Sequence, residues 1–219
     1  MTVVAPRLTV ERRLLREYGL VVALDEVGRG ALAGPVSVGA AVLDARCARR
    51  RIPEGLRDSK LVTELRRPEL AVRAADWVVT SAVGSATPGE IDEMGIMRAL
   101  GLAAVRAIQG LDGVDPFAAE TVVILDGNHD YVSPMAGPGM TVQTIIKADR
   151  DCASAAAASV IAKVARDAHM TELHDETPMY EWARNKGYAS ALHRAAIREH
   201  GLSRHHRASW AIADAPTLF

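Results

Sequence analysis

The chain has 219 residues, 49% of them apolar, which suffices to bury one sizeable core and excludes a disordered protein. Basic and acidic residues nearly cancel to a formal charge of −1, so total charge indicates no anionic partner. We expect neither a secretory signal nor a membrane span, because residues 1–20 lack an apolar stretch and the most apolar later run, 152–162, falls short of the ~20 residues a span needs.

Five apolar, β-branched runs, each bounded by Gly, Pro, Asp or Asn, predict strands at Leu20–Leu24, Val36–Leu43, Trp77–Val83, Val122–Leu125 and Val142–Ile146. One helix is predicted from a Thr87–Glu90 capping box to Gln109, and a second over 154–173. Residues 179–219 hold no strand-like run, and Pro178 marks a boundary. The pattern predicts a mixed α/β domain over 1–177 and a small helical, substrate-binding region over 178–219.

The two cysteines, Cys47 and Cys152, lie far apart and form no CxxC pair. This spacing argues against a disulfide framework or a zinc cluster. A reducing cytoplasm is the predicted location.

Acidic residues follow three of the predicted strands directly. The first strand runs into Asp25 and Glu26, the fourth ends in Asp126, and the fifth is followed by Asp149. Successive strand residues point to opposite faces, so Asp25 and Glu26 can share a site only if the strand ends at this pair. The glycine turn at 28–30 is expected to supply that ending.

If these strands are neighbours, the four carboxylates converge at one edge of a sheet, where they cannot all stay ionised without cations. Oxygen ligands without nearby His or Cys favour Mg²⁺ or Mn²⁺ over zinc. Two such ions about 4 Å apart would bracket an in-line phosphoryl displacement. The sequence therefore predicts catalytic metal ligands for phosphodiester hydrolysis at Asp25, Glu26, Asp126 and Asp149.

Other interpretations compete with this one. A single Asp at a strand end is more often a turn or helix cap, and Asp149 precedes a helix. The Gly28-x-Gly30-x-x-Ala33 spacing matches a dinucleotide fingerprint, but Gly34-Pro35 and a β-like run follow where that motif needs a helix. Two basic runs, 46–67 and 184–207, could track phosphates or form solvated helix faces, and both alternatives stay open.

The motifs together resemble the bacterial ribonuclease HII family, over residues 20 to 210. The resemblance begins with Asp25-Glu26-Val27-Gly28-Arg29-Gly30 and Ala33-Gly34-Pro35-Val36. It continues, in family order, through Asp58-Ser59-Lys60, Asp126-Gly127-Asn128, Lys147-Ala148-Asp149, the stretch 154–167, Lys186-Gly187-Tyr188 and His206-Arg207-Ala208-Ser209.

The resemblance implies an RNase H-like fold, with a five-stranded mixed sheet flanked by helices and a small C-terminal helical domain. It implies an endoribonuclease that cuts RNA paired with DNA, and cuts on the 5′ side of ribonucleotides embedded in duplex DNA, leaving 3′-hydroxyl and 5′-phosphate ends. It assigns the four carboxylates to two Mg²⁺ or Mn²⁺ ions.

The resemblance also assigns substrate contacts. The loop Gly28-Arg29-Gly30 is expected to contact the 2′-hydroxyl and phosphate of the ribonucleotide, and Tyr188 to stack on the sugar after an RNA-to-DNA junction. Ser59, Lys60, Lys163 and Arg166 are expected phosphate contacts, although Lys163 and Arg166 could instead pair with nearby carboxylates.

This sequence departs from the family pattern at Ala189-Ser190, where Gly-Thr is usual, and at Leu61, where a second Lys is common. These positions affect substrate grip and leave the carboxylates intact. His193, His205 and His206 are expected to serve packing or hydrogen bonding. The tail Pro216–Phe219 resembles a sliding-clamp docking segment, although a frayed terminus is the simpler interpretation.

Two rival functions remain open at this stage. Another RNase H-like nuclease could use the same carboxylates, and only Gly28-Arg29-Gly30 and Tyr188 argue against it. A catalytically silent hybrid-binding module or a nucleotide-binding protein is the other rival. A monomer is the default expectation.

Overall fold

The computed structural model describes residues 5–210. Its centre is one five-stranded mixed sheet with the order β3-β2-β1-β4-β5. The strands are β1 (Leu20–Val27), β2 (Val36–Leu43), β3 (Ser81–Ala86), β4 (Thr121–Asp126) and β5 (Thr141–Ile145). β2 pairs antiparallel with β1 and β3, whereas β1, β4 and β5 run parallel. The predicted five-stranded mixed sheet is therefore confirmed.

Helices cover both faces of this sheet. They are α1 (Thr9–Leu14), α2 (Arg67–Trp77), α3 (Pro88–Met94), α4 (Ile96–Gln109), α5 (Ser133–Ala136), α6 (Ala148–Asp151), α7 (Ala153–Glu176), α8 (Trp182–Asn185) and α9 (Ala191–His200). Short 3₁₀ turns lie at Cys47–Arg49, Ser59–Leu61, Glu64–Arg66 and Pro178–Tyr180. Within 5–210, no helix has both the length and the apolarity that crossing a membrane requires.

The third predicted strand was placed too early. Trp77 closes helix α2, and the strand begins at Ser81. Pro68 starts this helix, and Leu70, Ala74 and Trp77 recur at the spacing of one helical face, which is buried. Trp77 therefore belongs to a helical pattern that the β-branched residues after it concealed.

The first predicted helix is two helices. Its capping box is present, with the Thr87 amide donating to Glu90 Oε2 over 2.8 Å and the Glu90 amide donating to Thr87 Oγ1 over 3.2 Å. Gly95 then adopts φ +79°, outside the helical region, and separates α3 from α4. The continuous helix predicted to Gln109 is wrong at this position because glycine tolerates the turn.

The second predicted helix, α7, is confirmed and slightly longer than expected. Its alanines 155–158 are fully buried against the sheet. A Cβ on Gly39 of β2 would collide with the Ala158 carbonyl. Small residues on both sides thus allow helix and sheet to approach closely, which fixes the position of the side chains that α7 carries further along.

The C-terminal part contains helices and no strand between residues 178 and 210, as predicted. It packs on the second half of α7 and on the segment after β1 through a cluster of Ala33, Met170, Leu173, Tyr180, Trp182, Ala196 and Ile197. The division at residue 177 stays a prediction. The proposed clamp-docking tail, 216–219, lies outside the described residues. Cys47 and Cys152 are both free and buried.

Candidate active site

Three carboxylates meet at the end of the sheet where β1, β4 and β5 lie side by side. Asp25, Asp126 and Asp149 each contribute one oxygen to a group whose atoms all lie within 4.8 Å of one another. Alternate residues of a strand face the same side of the sheet. Asp25 therefore lies on the same face as Ala23, and Asp126 on the same face as Ile124, and both of these residues pack on the α7 side. The convergence of the acids follows from the parallel pairing of the strands.

The turn after β5 carries Asp149 to this group. Lys147 adopts the left-handed conformation at φ 62°, an unusual state for a residue with a side chain. The chain then enters α6, whose Ala148 amide donates to Asp126 Oδ1 over 2.5 Å, with the Asp149 amide 3.4 Å from the same oxygen. Asp126, and not Asp149, therefore caps this short helix, so the helix amides do not hold the Asp149 carboxylate.

The electrostatics of this group favour a bound cation. Burial, and then the neighbouring carboxylates, hold the pKa of Asp25 well above its usual value. Burial and the charge of Asp126 raise the pKa of Asp149 to about 6. Divalent cations would offset this repulsion, and the all-oxygen donor set suits a hard ion such as Mg²⁺ or Mn²⁺. The residues present thus fit the predicted metal site.

Glu26 occupies a different position from the other three acids. β1 does not end at Asp25 and Glu26 as expected but continues to Val27, which pairs with Ser37. Neighbouring strand residues face opposite sides, so Glu26 lies on the α4 face, and its Oε1 is 3.7 Å from Arg29. The structure therefore brings three of the four predicted ligands close enough together to share a metal ion, and Glu26 lies beside them on the other face of the strand.

A 3₁₀ turn packed against α7, Ser59–Leu61, brings Lys60 to the acids. Its Nζ lies 3.8 Å from Asp149 Oδ2, and its side chain is 77% exposed. The neighbouring Ser59 is buried, and its hydroxyl accepts a hydrogen bond from Ser159 of α7 over 3.0 Å. Lys60 is thus available to a phosphate, whereas the Ser59 side chain holds the turn against α7.

Two buried arginines hold the glycine loop that follows β1. Arg207 donates to the carbonyls of Gly28 (2.6 Å), Arg29 (2.8 Å) and Gly34 (3.2 Å). Arg166 donates to Pro35 O over 2.9 Å and reaches two further carbonyls, those of Ala33 and Lys186. With those carbonyls turned inward, no residue between 5 and 210 accepts a hydrogen bond from the amides of Arg29 and Gly30.

Tyr188 lies on a loop that pairs with the same segment. The Leu32 amide donates to Gly187 O over 2.8 Å, and a Cβ at Gly187 would collide with the Ala33 carbonyl. The ring of Tyr188 is 38% exposed, with Lys163 Nζ 5.9 Å and Arg166 Cζ 5.5 Å from its centroid. The glycine loop and Tyr188 are therefore held as one unit.

The predicted phosphate contacts on α7 have other partners in the structure. Lys163 pairs with Asp167 over 2.5 Å, which is the alternative left open by the sequence. Arg166 takes neither expected role. Its side chain is buried, 1% exposed, and contacts backbone carbonyls instead of a carboxylate or solvent.

The two basic runs behave differently. In the run 184–207, Arg184, Lys186 and Arg204 pair with glutamates, and Arg207 is buried. In the run 46–67, two arginines line a surface groove of about 480 Å³ next to the turn that carries Lys60; they are Arg57 and Arg66. Arg194 and Arg198 of the run 184–207 are nevertheless exposed, so a phosphate-tracking role stays open for both runs.

Arg207 has no role predicted from the sequence, although it stands in the motif His206-Arg207-Ala208-Ser209. The sequence does not show that this guanidinium holds backbone carbonyls, because those carbonyls lie more than 170 positions earlier in the chain. The motif itself was the available signal.

Comparison with known proteins identifies the family of this chain. The family model described as Ribonuclease HII matches residues 22–213. A Ribonuclease HII from Streptomyces griseus is 50% identical over 215 residues, covering 96% of this chain and 86% of that protein. The crystal structure of ribonuclease H2 from Pyrococcus horikoshii superposes with a TM-score of 0.71 at 27% identity, covering 89% of this chain and 95% of that one.

The fold alone is also shared with Bst-RNase HIII, solved in complex with Mn²⁺, at a TM-score of 0.66 and 20% identity over 91% of this chain and 70% of that one. The chain belongs to the ribonuclease HII family, and it is a ribonuclease H hydrolase that acts on RNA–DNA hybrids.

Proposed function

We propose that this protein incises duplex DNA on the 5′ side of an embedded ribonucleotide, as well as the RNA strand of hybrids, by two-metal-ion catalysis that leaves 3′-hydroxyl and 5′-phosphate ends. The observation that carries the proposal is the convergence of Asp25, Asp126 and Asp149 within 4.8 Å. Glu26 completes the predicted acidic set from the opposite face of β1.

In this proposal the acids at the sheet edge hold Mg²⁺ or Mn²⁺. Such ions activate a water molecule and stabilise the leaving oxygen of a phosphodiester. Asp126 orients itself through the Ala148 amide, which leaves its second oxygen available. Lys60 lies beside Asp149 and balances the charge that an incoming phosphate adds.

Recognition of RNA is assigned to the loop Gly28-Arg29-Gly30. Arg207 holds the carbonyls of Gly28 and Arg29 inward, and the Arg29 and Gly30 amides have no acceptor among residues 5–210. Backbone donors of this kind suit a 2′-hydroxyl or a phosphate oxygen, and the 2′-hydroxyl distinguishes RNA from DNA. The proposed specificity therefore rests on backbone groups that a buried arginine orients.

Tyr188 is assigned to the sugar on the DNA side of the junction. Its ring is partly exposed and lies on the loop that pairs with the glycine loop. A deoxyribose would leave room for the ring, whereas a 2′-hydroxyl would crowd it. Lys163 lies 5.9 Å from the centroid of this ring, and its ion pair with Asp167 keeps it there.

The test is incubation with Mg²⁺ or Mn²⁺ and four labelled duplexes: an RNA–DNA hybrid, DNA with one ribonucleotide, all-DNA and all-RNA. We expect cleavage of the first two only, with the second cut once, 5′ of the ribonucleotide. Equal cleavage of all duplexes would favour a general RNase H-like nuclease. Binding of the hybrid without cleavage would favour a silent hybrid-binding module.

Three further predictions belong to this proposal: a cytoplasmic location, a monomeric state and docking of a sliding clamp by residues 216–219. Sedimentation of the purified chain tests the second. A pull-down by the clamp, with the chain truncated after Ala215 as control, tests the third. Equal capture of both chains would contradict clamp docking by the tail.

A further inference from the structure

A buried row of hydrogen bonds joins two histidines to the backbone of Tyr188. The Ser203 amide lies 2.9 Å from His206 Nδ1, the two histidine Nε2 atoms lie 3.1 Å apart, and His193 Nδ1 lies 2.9 Å from Tyr188 O. Trp182 Nε1 donates to His193 Nε2 over 3.1 Å. His193 is 0% and His206 3% exposed, so water does not compete for these contacts.

The partners determine which nitrogen carries each proton. Ser203 N–H can only donate, so His206 Nδ1 is the acceptor and Nε2 carries the hydrogen. Trp182 N–H can only donate, so His193 Nε2 is also an acceptor. His193 Nδ1 then carries the hydrogen and donates it to the Tyr188 carbonyl. Trp182 Nε1–H and His206 Nε2–H share the single lone pair of His193 Nε2, and this pattern of donors and acceptors exists only when both rings are neutral.

The loop that this row reaches is held in unusual backbone conformations. Lys186 has φ 51° and Gly187 has φ 84°, both in the left-handed region. A residue with a side chain keeps such a conformation only when its surroundings hold it there. The Tyr188 amide donates to Asn185 O over 2.9 Å, and its carbonyl accepts from both His193 and the Ser190 amide.

We propose that His193 and His206 form a neutral relay that positions Tyr188 for its contact with the substrate. The proposal rests on the proposed function, because Tyr188 is taken there as the residue that meets the sugar at the junction. Both histidines are positioning residues, since they act through the Tyr188 backbone and touch no reacting atom. They deepen the specificity of the same site.

The surroundings favour the neutral state. Burial lowers the pKa of His193 and lowers that of His206 to about 4. Neither ring hydrogen-bonds a carboxylate within the described part of the chain. The titratable or charged groups that face the relay from the elements packed around it are Tyr180, His205 and Arg194.

The first test reads the protons directly. In ¹⁵N-labelled protein at pH 7, long-range imidazole spectra should identify His193 as the Nδ1–H form and His206 as the Nε2–H form. A charged ring, or the opposite form in either residue, overturns the relay. This measurement needs no substrate, so it stands apart from the proposed nuclease activity.

The second test removes the hydrogen bonds while keeping a ring. His206→Phe should raise KM for the single-ribonucleotide duplex roughly fivefold, the effect of one lost hydrogen bond, with little change in kcat. His206→Gln keeps a donor near the Nε2 position and should restore most of the loss. His200→Gln is the matched control, because His200 meets Tyr180 edge-on but lies outside the relay.

A cycle with Tyr188→Ala separates positioning from general destabilisation. His206→Phe should raise KM no further once the Tyr188 ring is absent, and it should accelerate amide exchange at Tyr188 in the wild-type background. Equal effects of His206→Phe with and without the ring overturn the relay's role. Failure of the wild type to cut the duplex overturns the proposed function, while the imidazole spectra still decide the relay.

Discussion

Gly28→Ala is expected to destabilise the protein, whereas Gly30→Ala, two residues away in the same loop, is not. Gly28 has φ +80°, and an added Cβ would overlap Arg166 Nε and lie 2.6 Å from its Cζ. Nothing lies within 4 Å of a Cβ built at Gly30. The two substitutions add the same methyl group to the same loop, so their difference measures the positive-φ backbone and the contact with Arg166 at position 28 together.

The expected magnitude has two parts. The left-handed backbone disfavours alanine at position 28 by about 1–2 kcal/mol. Overlap with a packed neighbour adds about 1–3 kcal/mol, because three carbonyls hold the Arg166 guanidinium and prevent it from moving away. Gly28→Ala should therefore lower the free energy of unfolding by about 2–5 kcal/mol, and Gly30→Ala should change it by less than about 0.5 kcal/mol.

Urea unfolding at neutral pH, followed by tryptophan fluorescence, measures both variants against the wild type. In the nuclease assay, Gly30→Ala should raise KM for the ribonucleotide substrate, because its methyl group meets only the substrate. Equal stability of the two variants would refute the close packing of Gly28 on Arg166. An unchanged KM for Gly30→Ala would refute contact between this part of the loop and the substrate.

Variants at three other residues test the site and its supports. Asp126→Asn keeps an oxygen that accepts from the Ala148 amide but removes a metal ligand. Turnover should fall more than about a hundredfold, while binding of the hybrid in a gel-shift assay is retained. Activity near the wild-type level would mean that the ligand is misassigned. Glu11 is buried and accepts hydrogen bonds from both the amide and the hydroxyl of Ser154 in the first turn of α7. Glu11→Ala should lower the free energy of unfolding in urea by about 2 kcal/mol, and Glu11→Gln should lower it by less because it keeps an acceptor oxygen. Equal losses would show that the acceptor oxygen is unimportant. Burial lowers the pKa of His206 to about 4 from its ordinary 6.5, so the unfolded chain binds the proton first as the pH falls. The free energy of unfolding of the wild type should therefore fall by about 3 kcal/mol between pH 6.5 and 4, a loss that His206→Phe does not show. Parallel curves of stability against pH for the two proteins would contradict this.

Much of the fold could be predicted from local patterns. The strands β1, β2, β4 and β5 and helix α7 follow from apolar runs with their bounding residues, because burial of one face imposes its period on the sequence. Asp126 could be placed for the same reason, because it ends a buried strand, and Asp25 lies near the same end of the neighbouring strand. Trp77 shows the limit: the same apolar residues satisfied two periods, and only packing decided between them.

The substrate side of the site could not be predicted in this way. The sequence predicted Arg166 as a phosphate contact or an ion-pair partner and assigned Arg207 no role, yet both guanidiniums are buried on backbone carbonyls of the glycine loop. Glu26 was grouped with its neighbour until the continuation of β1 placed the two on opposite faces. His193 and His206 were expected to serve packing or hydrogen bonding, without a named partner.

The sequence by itself thus placed acids at or near the ends of three strands and from them predicted metal-dependent chemistry. Only the tertiary structure decided which three acids meet, which arginines are buried and what holds Tyr188. The physical reason is that strand burial leaves a local period in the sequence. Hydrogen bonds such as that from Arg207 to Gly28 join residues 179 positions apart, and they depend on backbone carbonyls that every residue carries.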